Sequence, residues 1–326
     1  MGEHPQTPGR DPVTPSPADP TTVDGTAAVT TADAAAVGPT TTPASWETIP
    51  AGAADLRLVV SDMDGSLLTP SGEIPEGFWE LMDRLRERGV AFVPASGRQL
   101  ATLQATFGPD AATGREGVAS YIAENGTLVV HEGEVVGTTV VAEATAEAVL
   151  ALVRELTAGG AALGLVRCGI EGAFVESTDP AFLAEARKYY RNLTVVGDLA
   201  DVEGPVLKLA VHDAVDAEAT APAFARFAET EQVVVSGQHW IDVMNQEVDK
   251  GQGVLALQEA LGVTRAQTAV FGDYLNDTGL YAVADWSFAM ANAHPGILAL
   301  ARYVAPSNAE RGVVTVVEHL LGPAEH

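Results

Sequence analysis

Cys168 is the only cysteine among 326 residues, which excludes an internal disulfide and any multi-thiolate metal site. Lysine is almost as scarce. Lys188, Lys208 and Lys250 are the three present, so arginine carries most of the positive charge. Lysine and arginine together number 18 against 44 acidic residues, a formal charge of −26. A chain this acidic has no electrostatic footprint for nucleic acid and is repelled by anionic membrane surfaces. Long apolar runs are missing too: nothing approaches the roughly 18 consecutive apolar residues of a membrane span. The start, Met1-Gly2-Glu3-His4-Pro5, lacks a cationic leader followed by an apolar stretch, so no signal peptide is expected and the expected location is cytoplasmic. What the chain does have is apolar material, 47% of its residues. That is enough to bury a core, and the length allows about two globular units at roughly 150 residues each.

Residues 1–50 differ from the rest. They hold 9 of the 19 prolines and 11 threonines, and no lysine or arginine lies between Arg10 and Arg57. A Pro/Thr/Ala/Asp segment without apolar periodicity cannot offset the entropy of ordering, so a disordered tail is expected, with Trp46 and Ile49 as the candidate anchors at its end.

From residue 55 apolar runs and helical spacings alternate. Leu56 to Val60 reads as a buried parallel strand. Phe78, Leu81, Met82 and Leu85 recur at helical spacing between Pro75 and a stop at Gly89. Val90 to Ala95 reads as a strand, Arg98 to Phe107 as a helix and Tyr121 to Glu124 as a strand. That β-α-β-α-β order predicts an open, Rossmann-like parallel sheet. Residues 131–238 mix short strands with helices in an α+β pattern, after which the α/β pattern resumes. The expected organisation is therefore a tail (1–50), a first core segment (51–130), an inserted α+β domain (131–238) and a second core segment (239–326).

Four short constellations sit at predicted strand ends or helix starts, where open α/β sheets gather ligands. Ser61-Asp62-Met63-Asp64-Gly65 follows the first strand, and its carboxylates at i and i+2 suit a hard cation such as Mg²⁺. Ala95-Ser96-Gly97-Arg98 offers a hydroxyl and amides to a phosphoryl oxygen. Asp249-Lys250-Gly251 opens a helix with a cation that opposes the helix dipole. Gly272-Asp273-Tyr274-Leu275-Asn276-Asp277 returns carboxylates to a strand end. Singly, each is also an ordinary turn or helix cap.

Together and in this order they resemble the haloacid dehalogenase superfamily, and within it the Cof-type phosphatases. The likeness spans residues 55–320 and extends to Glu124-Asn125-Gly126 and to the tract from Ala289 to Pro295. Ser96 stands where many members carry Thr. The resemblance implies Asp62 as nucleophile, forming an aspartyl-phosphate, and Asp64 as general acid and base. It implies Ser96 and the Gly97 amide as phosphate ligands, Lys250 as the neutralising cation, and Asn276 and Asp277 as orienting groups. Mg²⁺ would be held by the Asp62 carboxylate, the Asp64 backbone carbonyl and the Asp273 carboxylate.

The spacing places the insert between Ser96 and Lys250, so the resemblance implies a cap domain closing over the cleft and a small phosphorylated metabolite as guest, such as a sugar phosphate, FMN or pyridoxal phosphate. Glu124, Asn125 and Arg167 are candidates for the substrate side. Lys208, inside an apolar strand pattern, has a structural reading as well. A phosphomutase of the phosphomannomutase kind and a non-catalytic phosphate-binding module are the alternatives.

Overall fold

Five consecutive buried residues, Leu58–Asp62, form the strand on which the molecule is organised. The computed structural model describes residues 42–323. In it Leu58–Asp62 pairs in parallel with Ala91–Ala95 on one side and Thr268–Gly272 on the other. Its neighbours cover its edges and packed helices cover both faces of the sheet, which is why it is apolar up to Ser61. The sheet extends on one side through Trp286–Met290, Tyr303–Ala305 and Ala44–Ser45. On the other side it extends through Ser120–Ala123, Leu128–His131 and Glu134–Thr138. The last two strands pair antiparallel and the rest are parallel. Helices Phe78–Glu87, Leu100–Phe107, Lys250–Leu261 and Gly312–Leu321 cover the faces and bury their apolar sides in one continuous core with the sheet.

A second sheet has the order Glu231–Gly237, Trp240–Asn245, Lys208–Asp213, Leu163–Cys168, Ala173–Val175, Leu193–Val195. It is antiparallel except for its last pair. Helix Glu143–Ala158 and the segment Ala217–Phe227 pack on one face, where Leu165, Leu209 and Val211 point. Helix Pro180–Tyr189 partly covers the other face, packing with Cys168, Ala210 and Trp240. The helical segment Ala217–Phe227 changes to 3-10 geometry after Thr220, where Pro222 removes a backbone donor.

Three boundaries differ from expectation. The hairpin Leu128–Thr138 belongs to the first sheet, not to the insert, because Leu128 to Val130 bury their side chains in the core. Strand Trp240–Asn245, assigned by sequence to the second core segment, completes the second sheet by pairing with Lys208–Asp213. The end of the expected tail is structured. Ala44–Ser45 pairs with Tyr303–Ala305, Trp46 opens a 3-10 turn, and Ile49 is buried. Residues 1–41 of the expected tail lie outside the described residues. By sheet membership the insert runs from about residue 141 to 245, and Asn245 Nδ2 ties its two ends by donating to Val140 O at 2.8 Å.

Candidate active site

The loops leaving the carboxyl ends of Leu58–Asp62, Ala91–Ala95 and Thr268–Gly272 meet the start of helix Lys250–Leu261. Lys250, wholly enclosed, donates from Nζ to Asp62 Oδ1 at 2.5 Å and to Asp277 Oδ1 at 2.6 Å. Its place at a helix N-terminus is unfavourable for the dipole, and two carboxylates more than offset it. Burial alone would lower the Lys250 pKa, but the charges of Asp62 and Asp277 raise it well above the ordinary lysine value.

Asp277 spends its second oxygen on the loop. Oδ2 accepts the backbone N–H groups of Asp273 at 2.9 Å and Tyr274 at 3.2 Å. Asp273 in turn accepts from Ser66 Oγ at 2.9 Å, which ties the loop after one central strand to the turn after its neighbour. That turn is tight. Gly65 has φ of +83°, and a Cβ there would lie 2.2 Å from Asp273 Oδ2. Only glycine allows both the backbone angle and the approach of the carboxylate. Asn292 Nδ2 holds the turn from outside by donating to Gly65 O at 2.8 Å, and Asn308 does the same at Leu68 O, 2.9 Å away.

Asp62, Asp273 and Asp277 each bring a carboxylate oxygen within 4.8 Å of the other two. Against these three acids the cluster holds the one ammonium of Lys250. Burial is the main reason that Asp62 is held well above the usual carboxylate range, and Asp277 and Asp273 push it the same way against Lys250. Asp273 is raised to about 6, chiefly by burial and then by Asp277, with the Ser66 hydroxyl opposing. A set of hard oxygen donors short of positive charge fits a divalent hard cation such as Mg²⁺. Asp277, with both oxygens engaged, is the least free of the three to ligate.

The expected phosphate loop lies alongside. The Ser96 amide donates to Ile122 O at 2.9 Å, and its Oγ accepts the Arg98 amide at 3.2 Å, leaving the hydroxyl hydrogen to turn toward a ligand. The Asn125 side chain lies against Gly97, where a Cβ would meet it at 3.1 Å. Asn276 Nδ2 donates to Asn125 Oδ1 at 3.4 Å. Asp64, more exposed than Asp62, accepts from Arg98 NH2 at 2.6 Å.

The structure therefore gathers Asp62, Asp64, Ser96, Gly97, Glu124, Asn125, Lys250, Asp273, Asn276 and Asp277 at one end of the first sheet. It does not bring Arg167 there. Strand alternation turns Arg167 to the helix-covered face of the second sheet. There it pairs with Glu143 at 3.3 Å and donates to Gly204 O at 2.8 Å. Sequence reasoning gave no role to Arg98, Ser66 or Asn292. Arg98 and Asn292 fall inside quoted motifs and Ser66 directly follows one, so position was the available signal; what each one touches depended on the fold.

The chain matches the family model described as haloacid dehalogenase-like hydrolase over residues 59–317. It is 29% identical over 270 residues to a 5-amino-6-(5-phospho-D-ribitylamino)uracil phosphatase of Escherichia coli, covering 82% of this chain and 96% of that one. It is 30% identical over 247 residues to an HMP-PP phosphatase of Cronobacter sakazakii, covering 74% and 87%. A crystal structure from Thermotoga maritima shares the fold with a TM-score of 0.69 at 24% identity, covering 81% of this chain and 97% of its own. Site and relatives agree: the chain belongs to the haloacid dehalogenase-like hydrolase family, in its Cof-type branch, and is a phosphoric monoester hydrolase.

Proposed function

We propose that this protein is a Mg²⁺-dependent phosphatase for small phosphorylated metabolites, working through an aspartyl-phosphate on Asp62. The observation that carries the reading is the Lys250 ammonium held between Asp62 and Asp277, with Asp273 opposite, at the ends of two adjacent parallel strands.

Asp62 Oδ attacks phosphorus and the bond to the leaving oxygen breaks. Lys250 holds the Asp62 carboxylate at 2.5 Å and offsets charge as the phosphoryl group arrives. The Ser96 hydroxyl and the Gly97 amide bind phosphoryl oxygens, and Asn276 braces Asn125 beside them. Asp64 donates a proton to the leaving oxygen, then accepts one from the water that attacks phosphorus and releases Asp62. Arg98 holds Asp64 at the cleft between these events. Asp62, the Asp64 backbone carbonyl and Asp273 would hold Mg²⁺, which when bound stabilises the negative charge of the transferring phosphoryl group.

The second sheet acts as a cap. Gln99, next to the phosphate loop, exchanges two hydrogen bonds with the Asn192 backbone at 3.0 and 3.3 Å, and Lys208 meets Glu124. A cap seated this close admits small guests, consistent with the two relatives whose names specify phosphorylated small molecules.

Para-nitrophenyl phosphate hydrolysis tests the reading. Activity should require added Mg²⁺ and vanish in Asp62→Asn; activity that survives chelator or that substitution overturns it. With mannose 1-phosphate and a bisphosphate activator, isomerisation outpacing phosphate release would point to a mutase instead.

A further inference from the structure

Lys208 is the second of the chain's three lysines to be buried, and the mechanism above does not use it. It sits on the first residue of a cap strand, and its side chain leaves the face of the second sheet turned toward the core. Its ammonium lies 3.1 Å from Glu124 Oε2 and 3.7 Å from Asp242 Oδ2, with the Tyr190 ring 5.7 Å away. Asp242 and Tyr190 belong to the cap, whereas Glu124 belongs to the core. Glu124 is almost completely buried, and its Oε2 makes no aligned hydrogen bond, so Lys208 is its countercharge among the described residues. A carboxylate buried in this way is stable only while the cation is there.

Glu124 also opens an unusual stretch of backbone. Glu124, Asn125 and Gly126 have φ of +49°, +60° and +104°. Asparagine and glycine tolerate left-handed geometry, but glutamate does not favour it. The stretch touches three segments of the site, around Ser96, Asp249 and Asn276. The Glu124 amide donates to Arg98 O at 3.1 Å and the Asn125 amide to Ser96 O at 3.0 Å. Asn125 packs on Gly97 and accepts from Asn276. A Cβ on Gly126 would lie 2.4 Å from Asp249 O, beside Lys250. Strained backbone persists where surrounding contacts over-determine it, and at its first residue the side-chain ion pair comes from the cap.

We propose that Lys208 is a positioning residue: its ion pair with Glu124 holds the Glu124–Asn125–Gly126 loop in the left-handed shape that sets Ser96, Gly97 and Asn276 around the phosphoryl group, so that the phosphate site reaches working geometry only when the cap is seated. Lifting the cap separates Lys208 from Glu124 and lets water reach the carboxylate, which removes the electrostatic hold on the loop. Lys208 keeps Asp242 in both states, so the cap does not expose a bare charge when it opens. Chemistry is thereby coupled to closure through a cap residue, Lys208, that acts on the loop and not on the reacting atoms. The catalytic part of this inference rests on the phosphatase reading.

The test compares wild type with Lys208→Met, Lys208→Arg, Glu124→Gln and the double variant Lys208→Met/Glu124→Gln, using para-nitrophenyl phosphate and amide hydrogen exchange. Lys208→Met should lower kcat on the order of 10- to 100-fold with a smaller change in KM, because the loop is displaced rather than the guest lost. Lys208→Arg should recover most of that loss. Glu124→Gln should reproduce it, and the double variant should be no worse than either single one. The amides of Glu124 and Asn125 should exchange faster in Lys208→Met while those of cap strand 208–213 keep their protection. Wild-type kcat in a folded Lys208→Met, or additive losses in the double variant, overturns the proposal. Unchanged exchange at Glu124 and Asn125 overturns it as well, and that readout needs no turnover. Failure of the phosphatase reading shows separately, as activity retained in Asp62→Asn.

Discussion

Lys250 Nζ reaches Asp62 Oδ1 at 2.5 Å from a fully enclosed position, across 188 residues of chain that include the whole cap. Removing a buried cation from among carboxylates leaves uncompensated charge. Lys250→Met should therefore abolish phosphatase activity and destabilise the metal-free fold by about 3–5 kcal/mol. Thermal melts with and without Mg²⁺ check this: the variant should regain a larger part of its lost Tm on adding Mg²⁺ than wild type gains. An unchanged metal-free Tm would contradict it.

The raised carboxyls of Asp62 and Asp273 make metal-free stability fall as pH rises. In the folded chain Asp273 keeps its proton up to about 6, above the ordinary aspartate value of 3.8. The native state then binds more protons than the unfolded one between about pH 4 and 6, so stability decreases through that window on going up in pH. Asp62, raised in the same direction, extends it. Mg²⁺ competes with those protons, so the rise in Tm on adding Mg²⁺ should be larger at pH 7.5 than at pH 5. An equal rise at both pH values would show that these carboxyls do not bind the metal.

Gly65 carries a double constraint, its φ of +83° and the Asp273 oxygen that a Cβ would strike at 2.2 Å. Gly65→Ala should cost about 1–2 kcal/mol from the backbone angle and, by displacing Asp273, weaken Mg²⁺ binding further. Isothermal titration with Mg²⁺ alone separates the two. Stability loss with unaltered Mg²⁺ affinity would mean that the Asp273 carboxylate is not a ligand.

Asp64 and Arg98 face each other at 2.6 Å. Asp64→Asn removes the proton carrier and should lower kcat on the order of 10²- to 10⁴-fold. Arg98→Met leaves the carboxylate in place but unguided, so its effect should be smaller and partly rescued by Arg98→Lys. Single-turnover kinetics with para-nitrophenyl phosphate report both. A larger loss in Arg98→Met than in Asp64→Asn would assign Arg98 to the substrate instead.

Arg167 supplies the negative control. Its partners are Glu143 and Gly204 O, on the far face of the cap sheet. Arg167→Ala should leave KM unchanged while lowering stability by about 1–3 kcal/mol, since hydrogen bonds of a buried charged group are lost. A raised KM at unchanged Tm would return Arg167 to the substrate side.

Much of the site was readable along the chain because its parts are local. Asp62 and Asp64 stand two residues apart after an apolar run, Ser96 and Gly97 follow the next run, and Asp273 and Asp277 close a third. The bounds of the cap were not readable. Leu128–His131 and Trp240–Asn245 carry similar apolar patterns, yet the first joins the core sheet beside its sequence neighbour Ser120–Ala123, whereas the second joins the cap sheet beside the more distant Lys208–Asp213. The same holds for Arg167 and Lys208. Both are cations in neighbouring cap strands, one turned toward the helices and the other toward the core.

Residue chemistry and spacing set the parallel core, the carboxylate and phosphate motifs and the presence of an insert, because each depends on neighbours within a few positions. Sheet membership, the pairing of Lys250 with Asp62 and Asp277, and the meeting of Lys208 with Glu124 were settled by packing. Strand alternation and long-range pairing determine which face a side chain leaves, and local sequence carries no record of what lies opposite.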